Sequence, residues 1–352
     1  MTEPLNLRDF EALARARMEP GPFAYYAGGA GDEHTLCENE AAFARRRFRP
    51  RMLVDVSRID TSVTLLGERV AMPVGVAPTA QHRLAHPDGE AATARAAAAA
   101  GVMFCASTSS SLSLEEIAAV AAGRLRWFQF YTQDNAGPRS EALLERAGAA
   151  GYRAIVLTVD LAVSGRRERE MREAFNIGSL RFGNFPGSGV ADDAADNGLR
   201  QQDAPSAFTW DDLAWLRART KLPLVLKGIL TAEDALLAVE HGAAAVWVSN
   251  HGARQLDRSP ASLDVLEEIV SAVTGRAEVY MDGGVRRGID VVTALALGAR
   301  AVFVGRPILH ALAADGEAGV SHALSLMDAE VRNAMALLGT ASVADISRAH
   351  VA

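Results

Sequence analysis

The amino-acid sequence predicts an α/β fold, a (β/α)8 TIM barrel with an N-terminal helical extension and a long loop after strand 4. Three observations predict it. Eight short apolar runs alternate with helix signals from Met72 almost to the C-terminus, and eight parallel strands suffice to close such a barrel. Polar and glycine-rich stretches follow the ends of these runs, which is where α/β barrels carry their chemistry. No Gly-rich fingerprint follows the first run, as the competing doubly wound open sheet would normally require. One domain is expected over residues 1–352, with 1–70 as the extension, 71–340 as the barrel and 176–208 as a lid loop.

Residues 1–70 read as helical, with an amphipathic, basic segment from Asn39 to Phe48 and a hairpin from Val63 to Val70 around Gly67. Strands are expected at Met72–Ala77, Val102–Ala106, Arg126–Tyr131, Ala154–Val159, Pro223–Lys227, Ala244–Ser249, Glu278–Met281 and Ala301–Val304. These runs are too short for helices and apolar throughout, as strands buried on both faces must be. Between them, Pro87-Asp88-Gly89-Glu90 opens an alanine-rich helix with proline and acids in its first turn. Ser113-Leu114-Glu115-Glu116 forms a capping box and Thr231 an N-cap. Gly101, Gly148, Gly242 and Gly298 mark helix ends. The segment Asn176–Phe208, rich in Gly, Asp, Asn and Pro, breaks the rhythm and is expected to lie over the C-terminal face.

Composition excludes several classes. Apolar residues make up 49% and charged residues 22%, enough for a large core and against global disorder. A net charge of −7 argues against nucleic-acid binding. Cys37 and Cys105 match no metal or disulfide spacing, so no metal is expected and a cytoplasmic location fits. Met1-Thr2-Glu3-Pro4 lacks the basic and apolar regions of a signal peptide, and no apolar run approaches membrane-spanning length.

The chemistry concentrates at strand ends. After strand six comes Ser249-Asn250-His251-Gly252-Ala253-Arg254-Gln255-Leu256-Asp257. It puts a base, His251, three residues from a fixed cation, Arg254, around a glycine that permits a sharp turn. A base beside an anion clamp suits proton removal next to a carboxylate; a capping histidine with a surface arginine is the structural alternative. Strand seven runs into Asp282-Gly283-Gly284-Val285-Arg286-Arg287-Gly288 and strand eight into Gly305-Arg306-Pro307. Two such turns on successive strands point to a phosphate held by backbone N–H groups and arginines, belonging either to flavin mononucleotide or to a phosphorylated substrate. The other ends supply hydroxyls, an amide and Lys227, a ring suited to a polar heterocycle. Lys227 ends a buried strand, so its charge needs a partner. A reduced flavin, a carboxylate such as Asp282 or Asp160, or the Schiff base of an aldolase would each explain it.

Taken together, these stretches resemble the FMN-dependent L-2-hydroxy-acid oxidases and dehydrogenases, a family that includes glycolate oxidase, lactate oxidase, mandelate dehydrogenase and hydroxymandelate oxidase. The resemblance runs from Phe23-Ala24-Tyr25-Tyr26-Ala27-Gly28-Gly29 to the last helices. Its most specific signature is 249–257, supported in order by Pro78-Thr79-Ala80, Ala85-His86-Pro87-Asp88-Gly89-Glu90, Leu226-Lys227-Gly228 and Asp282-Gly283-Gly284-Val285-Arg286.

The resemblance implies FMN at the barrel mouth. Thr79 and Ala80 would contact the flavin near N5, with Ser107, Gln129 and Thr158 on the ring. Lys227 would face N1 and O2, Asp282 the ribityl chain, and Gly284, Arg286, Gly305 and Arg306 the phosphate. His251 would be the base with Asp160 behind it, and Arg167 and Arg254, with Tyr25 and Tyr131, would hold the substrate carboxylate. The implied reaction takes an L-2-hydroxy acid to the 2-oxo acid, with O2 as acceptor and H2O2 as product. Two routes stay open: hydride transfer with His251 taking the hydroxyl proton, or removal of the α-proton. Glycolate oxidases carry a tryptophan where this chain has Ser109, and a leucine where it has Ser164, so a bulkier, mandelate-like acid is favoured. His82 is a candidate mouth residue and His86 a structural one. A homotetramer is implied, with no membrane or nucleic-acid partner. The alternatives are a soluble dehydrogenase using another acceptor, an FMN-dependent isopentenyl-diphosphate isomerase and a non-catalytic flavin protein.

Overall fold

A computed structural model describes residues 3–121, 123, 125–132, 136–177, 180–185 and 207–352. Eight parallel strands close a barrel: β1 (Val74–Val76), β2 (Phe104–Ser107), β3 (Arg126–Phe130), β4 (Ile155–Thr158), β5 (Leu224–Ile229), β6 (Ala245–Val248), β7 (Glu278–Asp282) and β8 (Ala301–Val304). Closure comes from β8 pairing with β1 in the register Val302↔Val74 and Val304↔Val76. Each strand is buried on both faces, β5 and β7 with one half-buried residue apiece. This accounts for their near-continuous apolar sequence.

The barrel interior is plugged by aromatic rings. Trp247 and Phe303 pack as tilted rings with centroids 4.0 Å apart, and Trp127 and Tyr280 pack beside them. The expected hairpin, Val63–Leu65 with Glu68–Val70, joins this cluster through Val63, Leu65 and Val70. Burying that apolar face leaves the opposite end, at the strand C-termini, free for a site.

Helices cover the outside. The Ser113 capping box and the Thr231 cap both form. Gly148 lies inside the helix Pro138–Ala149, and Gly151, with φ +78°, ends that turn instead. The helix expected at Asn39–Phe48 runs from His34 to Ala44. Its start is set from a distance, since the Asp257 carboxylate accepts from Asp32 N (3.0 Å) and Thr35 N (2.9 Å). Phe48 has left the helix and bridges Val351. Of the expected loop 176–208, residues 178–179 and 186–206 lie outside the described residues. Within its described part, Phe182 and Asn184 are buried, and Asn184 Nδ2 donates to the carbonyl of Thr108 at 2.9 Å, beside the end of β2.

Candidate active site

Beyond β6 the chain makes a tight left-handed turn. His251, Gly252 and Ala253 have φ of +57°, +62° and +62°, and each non-glycine residue there costs of order 1–3 kcal/mol. The surroundings hold the turn in place. Arg306 Nη2 donates to Gly252 O at 2.7 Å and Ala30 N to Ala253 O at 2.8 Å. The side-chain amides of Asn39 and Asn250 pair reciprocally at 2.8 and 2.9 Å, and Asn250 Oδ1 also accepts from Ala253 N.

The turn directs the imidazole of His251 at Asp160, just beyond β4, with Nδ1 and Oδ1 2.7 Å apart. A carboxylate there accepts from Nδ1–H, which leaves the Nε2 lone pair for a molecule in the cavity. Burial holds the His251 pKa below the ordinary value, outweighing the nearby Asp160 charge, so the ring is neutral at pH 7. Burial would raise the Asp160 carboxyl, but His251 and Lys227 overcome it and the group stays ionised. This approach needs Gly228 in β5: at φ +109°, a Cβ on it would stand 2.5 Å from Asp160 Cβ.

Lys227 occupies the neighbouring position in β5. Its Nζ donates to Ser249 Oγ at 2.9 Å and lies 3.3 Å from Asp282 Oδ2, while Ser249 Oγ donates to Asp282 Oδ1 at 2.6 Å. Burial would lower the lysine pKa, but Asp282 and Asp160 reverse the effect and raise it. A Schiff-base lysine must be neutral to act as nucleophile, and the ion pair with Asp282 argues against that role. Lys227 is a permanent cation on the cavity wall.

Two guanidinium groups flank the imidazole. Arg254 Nη1 donates to the carbonyls of Tyr25 and, at 3.3 Å, Gly28; its Nη2 lies 3.1 Å from Glu170 Oε1, and its guanidinium sits over the Tyr25 ring at 4.7 Å. Arg167 Nε donates to Arg254 O at 3.2 Å and Nη2 to Gln255 Oε1 at 3.1 Å. Gln255 Nε2 in turn donates to the carbonyls of Asp160 and Val163 at 2.9 Å, tying the motif to the end of β4. Burial and the Arg254 charge lower the Arg167 pKa. Arg166 and Arg169 pair with Glu168 and Glu33 instead.

At the ends of β7 and β8, Arg306 donates to Tyr26 O and Gly28 O, both at 2.7 Å, and to Gly252 O, with no carboxylate in ion-pair range among the described residues. Burial, Arg254 and Arg286 push its pKa down to about 9. Arg286 pairs with Glu40 at 3.0 Å. Gly284, at φ +83°, abuts the backbone of Asn39 so closely that a Cβ would collide with it.

One cavity of about 1080 Å³, including space open to solvent, touches nearly all of the expected residues. Tyr25, Thr79, Ala80, Ser107, Gln129, Tyr131, Thr158, Arg167, Lys227, His251, Arg254, Asp282, Gly284, Arg286, Gly305 and Arg306 line it; Asp160 stands behind His251. Two expectations fail. His82 is buried behind the wall, between Thr79 Oγ1 (2.6 Å) and Thr93 Oγ1 (3.0 Å), because the 3-10 turn 82–84 points its ring inward. Ser164 does not line the cavity, whereas Ser109, Leu161 and Ile177 do. Sequence reasoning missed Leu161, Ile177 and Glu170. Only Glu170 had a local signal, its position three residues after Arg167.

The donor set fits a phosphorylated polar heterocycle. Gln129 Oε1 accepts from Ser107 Oγ and Thr108 N, which leaves the buried Nε2 without a partner among the described residues. An unmet buried donor costs about 1–3 kcal/mol, and a ring carbonyl would satisfy it. Lys227 supplies a cation against the same wall, and Arg306 one without a counter-ion.

Residues 14–352 match the family described as FMN-dependent dehydrogenase. Glycolate oxidase 1 of Oryza sativa subsp. indica is 49% identical over 357 residues, covering 100% of this chain and 96% of that protein. L-lactate oxidase of Nostoc sp. is 50% identical over 98% of this chain and 97% of its own length. A crystal structure of Mandelate oxidase with (S)-4-hydroxymandelic acid superposes with a TM-score of 0.91 at 44% identity, covering 99% of this chain and 98% of that one. Arginines gathered beside two glycine turns, a permanent lysine cation and an unmet amide donor on one wall thus have a common explanation: this chain belongs to the FMN-dependent dehydrogenase family.

Proposed function

We propose that the protein oxidises an L-2-hydroxy acid to the 2-oxo acid with FMN as cofactor and O2 as acceptor, releasing H2O2. The observation that carries this reading is the convergence of a neutral His251, backed by Asp160, with Arg254 and Arg167 on one cavity wall. A planar carboxylate matches guanidinium donors better than an ammonium.

In this reading FMN, when bound, supplies the two-electron acceptor. The chain does the rest. Arg254 and Arg167, with Tyr25 and Tyr131, bind the acid group and orient the α-carbon. His251 Nε2 takes a proton from the substrate, and Asp160 holds the ring tautomer and stabilises the imidazolium that results. Lys227 stabilises negative charge arriving on its side of the cavity. Arg286, Arg306, Gly284 and Gly305 hold the phosphate, Gln129, Ser107 and Thr158 the ring, Thr79 and Ala80 the flavin edge near N5, and Asp282 the ribityl chain. The extension and barrel work as one unit, supported by the carbonyls of Tyr25, Tyr26 and Gly28 that carry Arg254 and Arg306.

Ser109, Leu161 and Ile177 support a bulky or aromatic side chain on the substrate, since the first is small and the others apolar. The unpaired thiols of Cys37 and Cys105 support a cytoplasmic setting; among the described residues no helix is long and apolar enough to cross a membrane. Exposed Met52, Leu53, Val54 and Leu337 support a homotetramer, checked by light scattering.

The test is anaerobic mixing of the yellow protein with glycolate, lactate, mandelate and 2-hydroxyoctanoate while following flavin absorbance. Bleaching is expected, fastest with mandelate, and air should then give H2O2. No bleaching by any 2-hydroxy acid would overturn the reading; bleaching without peroxide would favour a dehydrogenase with another acceptor.

A further inference from the structure

The arginine clamp has a third member. Glu170 stands on the short helix Glu168–Arg172, with Oε1 3.1 Å from Arg254 Nη2 and 3.9 Å from Arg167 Nη1. All three side chains are 13–15% exposed. Among the described residues no other carboxylate lies within ion-pair distance of either arginine. The hydrogen bonds of Arg254 leave Nε and one Nη2 hydrogen unused, and those of Arg167 leave both Nη1 hydrogens and one on Nη2. Glu170 therefore offsets one of the two guanidinium charges at the place where an acid group would bind.

We infer that Glu170 sets the charge of the acid-binding wall so that it accepts one carboxylate and disfavours two, making the enzyme selective for monocarboxylic 2-hydroxy acids. The inference rests on the function proposed above. In a buried site charges are weakly screened, so matching the charge count matters more than it would on the surface. One entering carboxylate meets the guanidinium charge that Glu170 leaves unmatched. A second on the same carbon would be desolvated beside Glu170, and specificity built from such repulsion is a common device. Glu170 is thus a specificity-determining residue that acts through the arginines.

A matched pair of probes isolates the charge. Oxamate and oxalate have nearly the same shape, one a monoanion and the other a dianion. Their Kd values are read on the FMN-loaded enzyme from the perturbation of flavin absorbance, and the ratio cancels any loss of positioning that both share. In Glu170→Gln the ratio should shift toward oxalate by about tenfold or more, the size expected for a unit charge removed a few ångströms away in a weakly screened site. Glu170→Asp keeps the charge and should keep the wild-type ratio. Tartronate should gain on glycolate in kcat/KM in the same variant. A ratio unmoved in Glu170→Gln, or moved equally in Glu170→Asp, would overturn the inference. Should Glu170→Gln not retain FMN, Glu170→Met removes the same charge and gives the same reading. Failure of every hydroxy acid to bleach the wild-type flavin would instead sink the functional reading, and the oxamate/oxalate ratio would remain measurable.

Discussion

His251 Nδ1 and Asp160 Oδ1 lie 2.7 Å apart although 91 residues separate them in the chain. Barrel closure brings the ends of β4 and β6 to either side of β5, and Gly228 removes the side chain that would stand between them. Asp160→Asn should therefore lower kcat by roughly 10²- to 10⁴-fold, the range over which a positioned acid–base group contributes, with a small change in KM. Stopped-flow reduction of the flavin measures this directly; a fall of less than threefold would remove Asp160 from the proton-handling role.

The acid limb of the kcat/KM profile follows from the burial of His251. The base must be neutral to accept a proton, and its pKa is held below the ordinary value of 6.5. A lower pKa keeps the neutral form present to lower pH, so activity should be level across pH 7–8 and fall only below 6.5. A midpoint above 7 would mean that Asp160 wins over burial.

Ser109 lines the cavity where a tryptophan would fill it. Ser109→Trp should lower kcat/KM for mandelate by about a hundredfold relative to glycolate, since overlap with a rigid wall is far more costly than a lost methylene contact. Equal losses for the two acids would show that the side chain of the substrate points elsewhere.

Arg286 separates the phosphate from the rest of the cofactor. A hydrogen bond to a charged group is worth about 1.5–3 kcal/mol, so Arg286→Ala should raise the Kd for FMN roughly 10- to 150-fold. Riboflavin, which has no phosphate, should bind wild type and variant alike. Fluorescence titration of the apoprotein with both ligands gives the comparison.

Phe303 anchors the aromatic plug, its ring centroid 4.0 Å from that of Trp247 and its edge packed against Gly75 of the adjacent strand. Phe303→Ala should cost about 3–5 kcal/mol of stability, seen as a lower denaturation midpoint in urea. The loss of a fully buried ring at the barrel axis cannot be relieved by a side-chain shift alone.

Much of this protein is written locally. The eight strands are apolar because both faces are covered, and their runs were visible within one or two residues, as Ala301–Val304 was in full. The Ser113 and Thr231 caps were equally legible, because a cap depends on residues three positions apart. The turn motif also showed its chemistry, a histidine and an arginine around a glycine. Where local signals competed, tertiary contacts decided. The helix beginning at His34 takes its start from Asp257, more than 200 residues away, and Gly148 lost its terminal role to Gly151.

Which side chains meet is settled by the closed barrel. Sequence makes His82 only a candidate for the mouth, and packing puts it behind Thr79. It offered three arginines between 166 and 169, and the ion pairs with Glu168 and Glu33 left Arg167 for the cavity. Lys227 had several plausible partners and took Asp282 through Ser249. Glu170 became part of the clamp because its short helix lies beside the turn after β6. Periodicity and capping follow from near neighbours along the chain, so the sequence by itself determines them. Charge pairing and burial follow from distances set by closing the barrel, and those exist only once the strands have met.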